Sequence, residues 1–154
     1  MTKIFHYLIL PYGEVNLSWM VGMGVTEVSM LERDYWKFSF EGKAEVGAEC
    51  PWRIIKNRRI AVSGCDQGQK FGLPAPIDAA QAATALLEGR KITGVQLREA
   101  TGDLLIDFPN DLRLEIIPFS SGHEAWHWSD PFGDSFIVQG GGQIGRRPRA
   151  KAKP

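Results

Sequence analysis

Val25-Thr26-Glu27-Val28-Ser29-Met30 and Ile92-Thr93-Gly94-Val95-Gln96-Leu97 carry the same alternation of apolar and polar residues, 67 positions apart. The blocks that follow recur in the same order. Trp36, Phe38 and Phe40 are answered by Leu104, Ile106 and Phe108, and Ala44, Val46 and Ala48 by Leu112, Leu114 and Ile116. Beyond a short insertion around Phe119 to Gly122, Trp52 and Ile54 meet Trp126 and Trp128, and Ile60, Val62 and Gly64 meet Phe136, Val138 and Gly140. Gly22 matches Gly89. Self-similarity at so long a period means two copies of one supersecondary unit, each with an apolar face that the other covers.

The spacing decides the type of element. Successive side chains of an extended chain point to opposite faces, so alternation puts every apolar residue of a block on one side of a strand. Strands are expected at 26–31, 35–40, 43–49, 52–55 and 59–63 in the first copy, about 22–64. They are expected at 93–98, 103–108, 111–117, 124–129 and 135–139 in the second, about 89–140. Two more are expected at 4–10 and 15–20. Glu41-Gly42, Lys56-Asn57 and Pro109-Asn110-Asp111 supply turns. Loops this short join antiparallel neighbours, since a parallel crossover needs about a dozen residues. Each copy therefore reads as a meander. The expected fold is mainly β: two antiparallel β-meanders related by a pseudo-twofold, packed as a sandwich or closed as a barrel. Between the copies, Asp78 followed by Gln81 forms a capping box, and the alanine-rich run that follows ends at Gly89. One bridging α-helix is expected at about 79–88, packing an apolar stripe of Ala79, Ala82, Ala83, Leu86 and Leu87 on the sheet.

A chain of 154 residues with 44% hydrophobic content suits one domain, here 1–145. The apolar run at 4–10 is far below the ~18 residues that a membrane span requires, and no cleavage pattern follows it. Cys50 and Cys65 have no Cys or His at ligand spacing, so free thiols in a cytoplasmic protein are expected, with a disulfide between them left open. Net charge is zero, yet Arg146, Arg147, Arg149, Lys151 and Lys153 lie in the last nine residues without an acid. That stretch, 146–154, has no large apolar residue and is expected to be a disordered basic tail. Without it, thirteen bases face eighteen acids, and between Lys91 and Gln139 three bases face eight acids. Such an excess repels phosphate backbones and steers basic proteins inward. Nucleic acid is not expected as a partner apart from what the tail could hold, because no aromatic platform accompanies the tail or the second basic cluster, Arg53, Lys56, Arg58 and Arg59.

Two motifs invite an enzymatic reading. His123-Glu124-Ala125-Trp126-His127 fits H-E-x-x-H, in which a helix stacks two His on one zinc with Glu as general base. On a strand the same imidazoles lie about 13 Å apart, too far to share an ion. Gly140-x-Gly142-x-x-Gly145 matches the dinucleotide fingerprint but lacks a following helix to face the pyrophosphate. No cofactor is expected. Trp36, Trp52, Trp126 and Trp128 fall at inward positions and read as core, with Trp126 and Trp128 the alternative aromatic anchor for a binding face.

The pattern Leu104, Ile106, Phe108, then Leu112, Leu114, Ile116, and then Glu124-x-Trp126 resembles small bacterial domains of unknown function, some similar to immunity proteins of polymorphic toxin systems. The resemblance covers about fifty residues of the second copy and carries over no catalytic or binding residue. It implies a non-enzymatic protein that binds and neutralises a partner, such as a basic toxin domain. Asp103, Asp107, Asp111, Glu115 and Glu124 are then the expected partner-binding residues, displayed on an acidic sheet face. The alternatives are a zinc-dependent hydrolase using the HEAWH segment and a structural subunit of a homodimer or larger homo-oligomer, pairing exposed edge strands.

Overall fold

A computed structural model describes residues 8–147. It contains twelve strands in two antiparallel sheets and one α-helix, α1 (Ala79–Leu87). The strands are β1 (Leu8–Leu10), β2 (Val25–Glu32), β3 (Tyr35–Phe40), β4 (Glu45–Ala48), β5 (Trp52–Lys56), β6 (Arg59–Ser63), β7 (Gly94–Leu97), β8 (Leu104–Phe108), β9 (Leu112–Ile116), β10 (Trp126–Ser129), β11 (Ser135–Val138) and β12 (Ile144–Arg147).

One sheet runs β1-β12-β11-β10-β4-β3-β2 and the other β6-β5-β9-β8-β7, both open, so the barrel alternative is excluded. Within each copy the first three strands form the expected meander, and the last two cross to the other sheet. Thus β4 pairs with β10 of the second copy, and β9 with β5 of the first. The two sheets match strand for strand: β11-β10-β4-β3-β2 corresponds to β6-β5-β9-β8-β7. Register follows suit. Trp52 faces Ile116 and Ile54 faces Leu114, as Trp126 faces Ala48 and Trp128 faces Val46. The crossing occurs at a corner where the chain bonds to the opposite copy: the Glu49 amide donates to the Ala125 carbonyl and the Ile117 amide to the Pro51 carbonyl.

The alternating apolar residues meet between the sheets in a single core. Trp52 of β5 lies edge to face with Trp36 (5.0 Å, 72°) and Phe38 (5.4 Å, 85°) of β3, across the sheet interface. Its Nε1–H is buried without a hydrogen-bond partner among the described residues and lies against Gly64, where a Cβ would stand 2.8 Å from the nitrogen. Trp126 tilts against Trp128, which stacks on Phe136 at 4.5 Å. Each buried aromatic of this size contributes several kcal/mol, as the ~3–5 kcal/mol cost of truncating one to alanine indicates.

The helix begins where the capping box places it, with the Asp78 carboxylate accepting from the Gln81 amide, and Gly89 follows at φ 74°. It lies against β2 and β6, edge strands of the two sheets. Thr84 completes the join. Its hydroxyl accepts from the Val28 amide and donates to the Val28 carbonyl, both at 3.0 Å, which satisfies the open rim of β2.

Three expectations are corrected. Residues 15–20 are not a strand: Ser18–Met20 is a 3-10 turn, led in by Asn16, whose side-chain oxygen accepts from the Ser18 amide. The basic stretch does not begin as a tail either, because Arg146 and Arg147 end β12, which lies between β1 and β11. Backbone pairing on both sides outweighs the lack of apolar side chains there. The rest of the expected tail and the first half of the 4–10 strand fall outside the described residues. The third strand begins at Glu45 and not Lys43, which sits at φ 66° in the preceding turn.

Candidate functional site

Strand pleating gives each sheet an outer face, and the twofold correspondence makes these two faces comparable position by position. On the five-stranded sheet the outer positions carry Asp107, Arg113, Glu115 and Arg53. Arg113 donates to both oxygens of Asp107, at 2.6 and 3.2 Å, and Arg53 Nε donates to Glu115 Oε1 at 2.7 Å. Glu115 is buried to 7% exposure beneath these cations, and the adjoining carboxylates raise the Arg113 pKa further, the Asp107 hydrogen bond foremost. This face neutralises itself.

The equivalent face of the seven-stranded sheet is built differently. Where Arg53 lies beside Glu115 on one sheet, His127 lies beside Gly47 on the other. The imidazole rests directly on the Gly47 backbone, since a Cβ there would stand 2.3 Å from His127 Cε1. Its Nε2 is 3.3 Å from the Tyr35 hydroxyl, and the two rings are 6.0 Å apart at 44°. Burial, then Glu49, Glu45 and Glu32, hold the Tyr35 phenol above its ordinary pKa, so these carboxylates project a negative field over the ring. Glu27, Glu32, Glu45, Glu49 and Glu124 form no ion pair among the described residues. Glu124 also borders a cavity of about 260 Å³ shared with His127, Ser129, Ser135, Ile137 and Arg147.

The five expected partner-binding residues therefore do not share a face. Asp107 and Glu115 lie on the outer face of the five-stranded sheet, each engaged by arginine. Asp103 is largely covered and lies 3.5 Å from Arg98 Nη1. Asp111 occupies the β8–β9 turn at φ 55°. Only Glu124 approaches the seven-stranded face. The crossing hairpin brings Arg53 of the first copy against Glu115 of the second, so charge summed along one copy does not describe the charge of one sheet face. The signal that finds the other face is Gly47, a glycine in mid-strand whose missing side chain marks close approach.

The motifs resolve on the same geometry. The HEAWH segment is not helical: His123 lies exposed in a bend, its amide donating to Ser120 Oγ, and only His127 is on a strand. Among the described residues no group of three His, Cys, Asp or Glu is placed to hold a metal ion. The glycine triplet is the turn between antiparallel β11 and β12. Gly142, at φ 84°, passes so close to the Ala100 carbonyl that a Cβ would lie 2.0 Å from its oxygen. The Tyr12 hydroxyl donates to the Gly142 carbonyl and Trp126 Nε1 to the Gly102 carbonyl at 2.8 Å, so the loops at this end pack on one another. Trp126 and Trp128 are 1% exposed and belong to the core, not to a binding face. Both cysteines are free. Burial pushes the Cys50 thiol up to about 12, far from a reactive thiolate, while Cys65 is exposed. No helix of the described residues is long and apolar enough to cross a membrane.

No family model, curated protein or solved structure matches the chain.

Proposed function

We propose that the protein is a non-enzymatic binding module, of the immunity-inhibitor kind, that receives a basic protein partner on the outer face of its seven-stranded sheet. The observation that carries this reading is the contrast between two equivalent faces. One closes its charges with Arg53 and Arg113, and the other, which also carries Lys37 opposite Gly47, leaves Glu32, Glu45 and Glu49 without an ion pair among the described residues around Tyr35 and His127. Carboxylates held out of internal ion pairs steer a cationic partner and stay available to pair across an interface. The half-buried Tyr35 and His127 rings give that interface an aromatic centre.

The test is calorimetric titration of the purified chain against the protein products of its neighbouring genes. A basic product should bind, with affinity falling as salt rises, and the Glu45→Lys/Glu49→Lys double variant should bind it at least about tenfold more weakly. Binding that the double reversal leaves unchanged, or no bound product, contradicts the reading.

A further inference from the structure

The edge of β7 is closed along only part of its length. Just before the strand, the chain's own residues 22–24 run antiparallel to it: the Gly22 amide donates to the Ile92 carbonyl at 2.8 Å, and the Ile92 amide donates to the Met23 carbonyl at 2.9 Å. The pairing stops there, because the chain curls into the 3-10 turn Ser18–Met20, which packs beside β7 without pairing to it.

Register shows what remains open. The Arg98 amide donates to the Asp103 carbonyl at 2.9 Å, and Leu97 faces Leu104. The directly bonded pairs of this ladder are therefore Gln96 with Leu105 and Gly94 with Asp107, and the alternate residues Val95 and Leu97 turn their amides and carbonyls away from β8. Among the described residues no strand lies on that side, since β7 is the last of its sheet. Val95 and Leu97 instead border a groove of about 500 Å³, whose other wall includes Tyr12, Val15, Leu17 and Val21. Val21 is 49% exposed. Glu99 stands at the groove and forms no ion pair among the described residues. Together with burial, Glu99 and Asp103 hold the Tyr12 phenol above its usual value, which marks a negative field there.

We infer that this groove captures an extended peptide segment of a partner protein, which adds as an antiparallel strand beside β7 in line with residues 22–24. Main-chain bonds to Val95 and Leu97 supply register, alternate apolar side chains of the peptide enter the groove, and a basic residue of the peptide meets Glu99. The surface is separate from the glutamate face, and the inference stands whether or not that face binds a partner.

Amide exchange followed by NMR on the full chain tests it, with the synthetic probe acetyl-Lys-Val-Thr-Val-Lys-amide. The Val95 and Leu97 amides, open to exchange alone, should exchange at least about tenfold more slowly with saturating probe. The same probe N-methylated on the residues that face β7 should give no protection. Val21→Asp, a change at an exposed wall position, should weaken probe binding about tenfold by setting a charge against the peptide's apolar side chains. The inference is overturned if the probe leaves both amides unchanged, or if Val21→Asp binds it as tightly as the parent. Protection already present without probe also overturns it. If independent of protein concentration, it would mean the chain covers its own edge; if rising with concentration, a second copy would be the occupant.

Discussion

Gly47 and His127 show how one residue sets the character of a face. At the twofold-equivalent position a glutamate stands beside an arginine, and the pair closes its own charge. A hydrogen in place of a side chain lets the imidazole lie on the backbone within reach of the Tyr35 hydroxyl. Gly47→Ala should force the ring off the sheet, at a cost of about 1–3 kcal/mol in urea unfolding, with loss of the His127–Tyr35 proton contacts in NMR. An unchanged midpoint and intact contacts would refute the packing. The glutamates can be read through Tyr35 itself. Its raised pKa comes first from burial and then from Glu49, Glu45 and Glu32, so replacing Glu45 and Glu49 with Gln should bring the phenol's ultraviolet titration back toward, but not fully to, its ordinary value. The sign of the linkage follows. A phenol held above its unfolded pKa contributes stability that is complete below about pH 10 and is lost as pH rises through the folded value. A titration insensitive to both substitutions would remove the electrostatic basis of the proposed face.

At the scale of elements, Thr84 is the side chain that ties α1 to the sheet. It is the only hydroxyl in a helix otherwise made of Ala, Leu and Gln, and both of its hydrogen bonds go to Val28. Thr84→Val keeps the shape and strands a buried amide and carbonyl, so urea unfolding should register a loss of about 1–3 kcal/mol. A neutral result would mean that water or another group serves the rim of β2. Much of this level was legible in the sequence. Alternation located the strands of both copies, and Asp78 with Gln81 located the start of the helix, because periodicity and capping are local properties. The 3-10 turn at Ser18–Met20 was not, since Asn16 bonds the Ser18 amide within a run whose residues also suit a strand. Nor was β12, whose Gly145 and Arg146 gain their order from β1 and β11 on either side. Pairing between distant segments leaves no mark in local composition. The candidate face stayed hidden for the same reason: Tyr35 and Gly47 lie on neighbouring strands of one meander, but His127 is distant in the chain and joins them only through the β4–β10 pairing.

Over the whole molecule, the exchange of hairpins between sheets turns a repeated sequence into one indivisible body. Neither copy has a sheet of its own: β5 and β6 complete the sheet of the second meander, and β10 and β11 that of the first. The loop rule that short connections join neighbours fails at residues 49–51, a loop short enough for a hairpin that instead turns a corner between sheets. The same exchange brings Arg53 to Glu115 and His127 to Gly47, and so decides which face is neutralised and which is left acidic. The measurement that bears most directly on this is a set of inter-strand proton contacts by NMR on the full chain. Exchange predicts contacts between Gly47 and His127 and between Ile54 and Leu114. Contacts that instead join β4 to β5 and β9 to β10, each copy pairing only within itself, would contradict the fold and the binding face built on it.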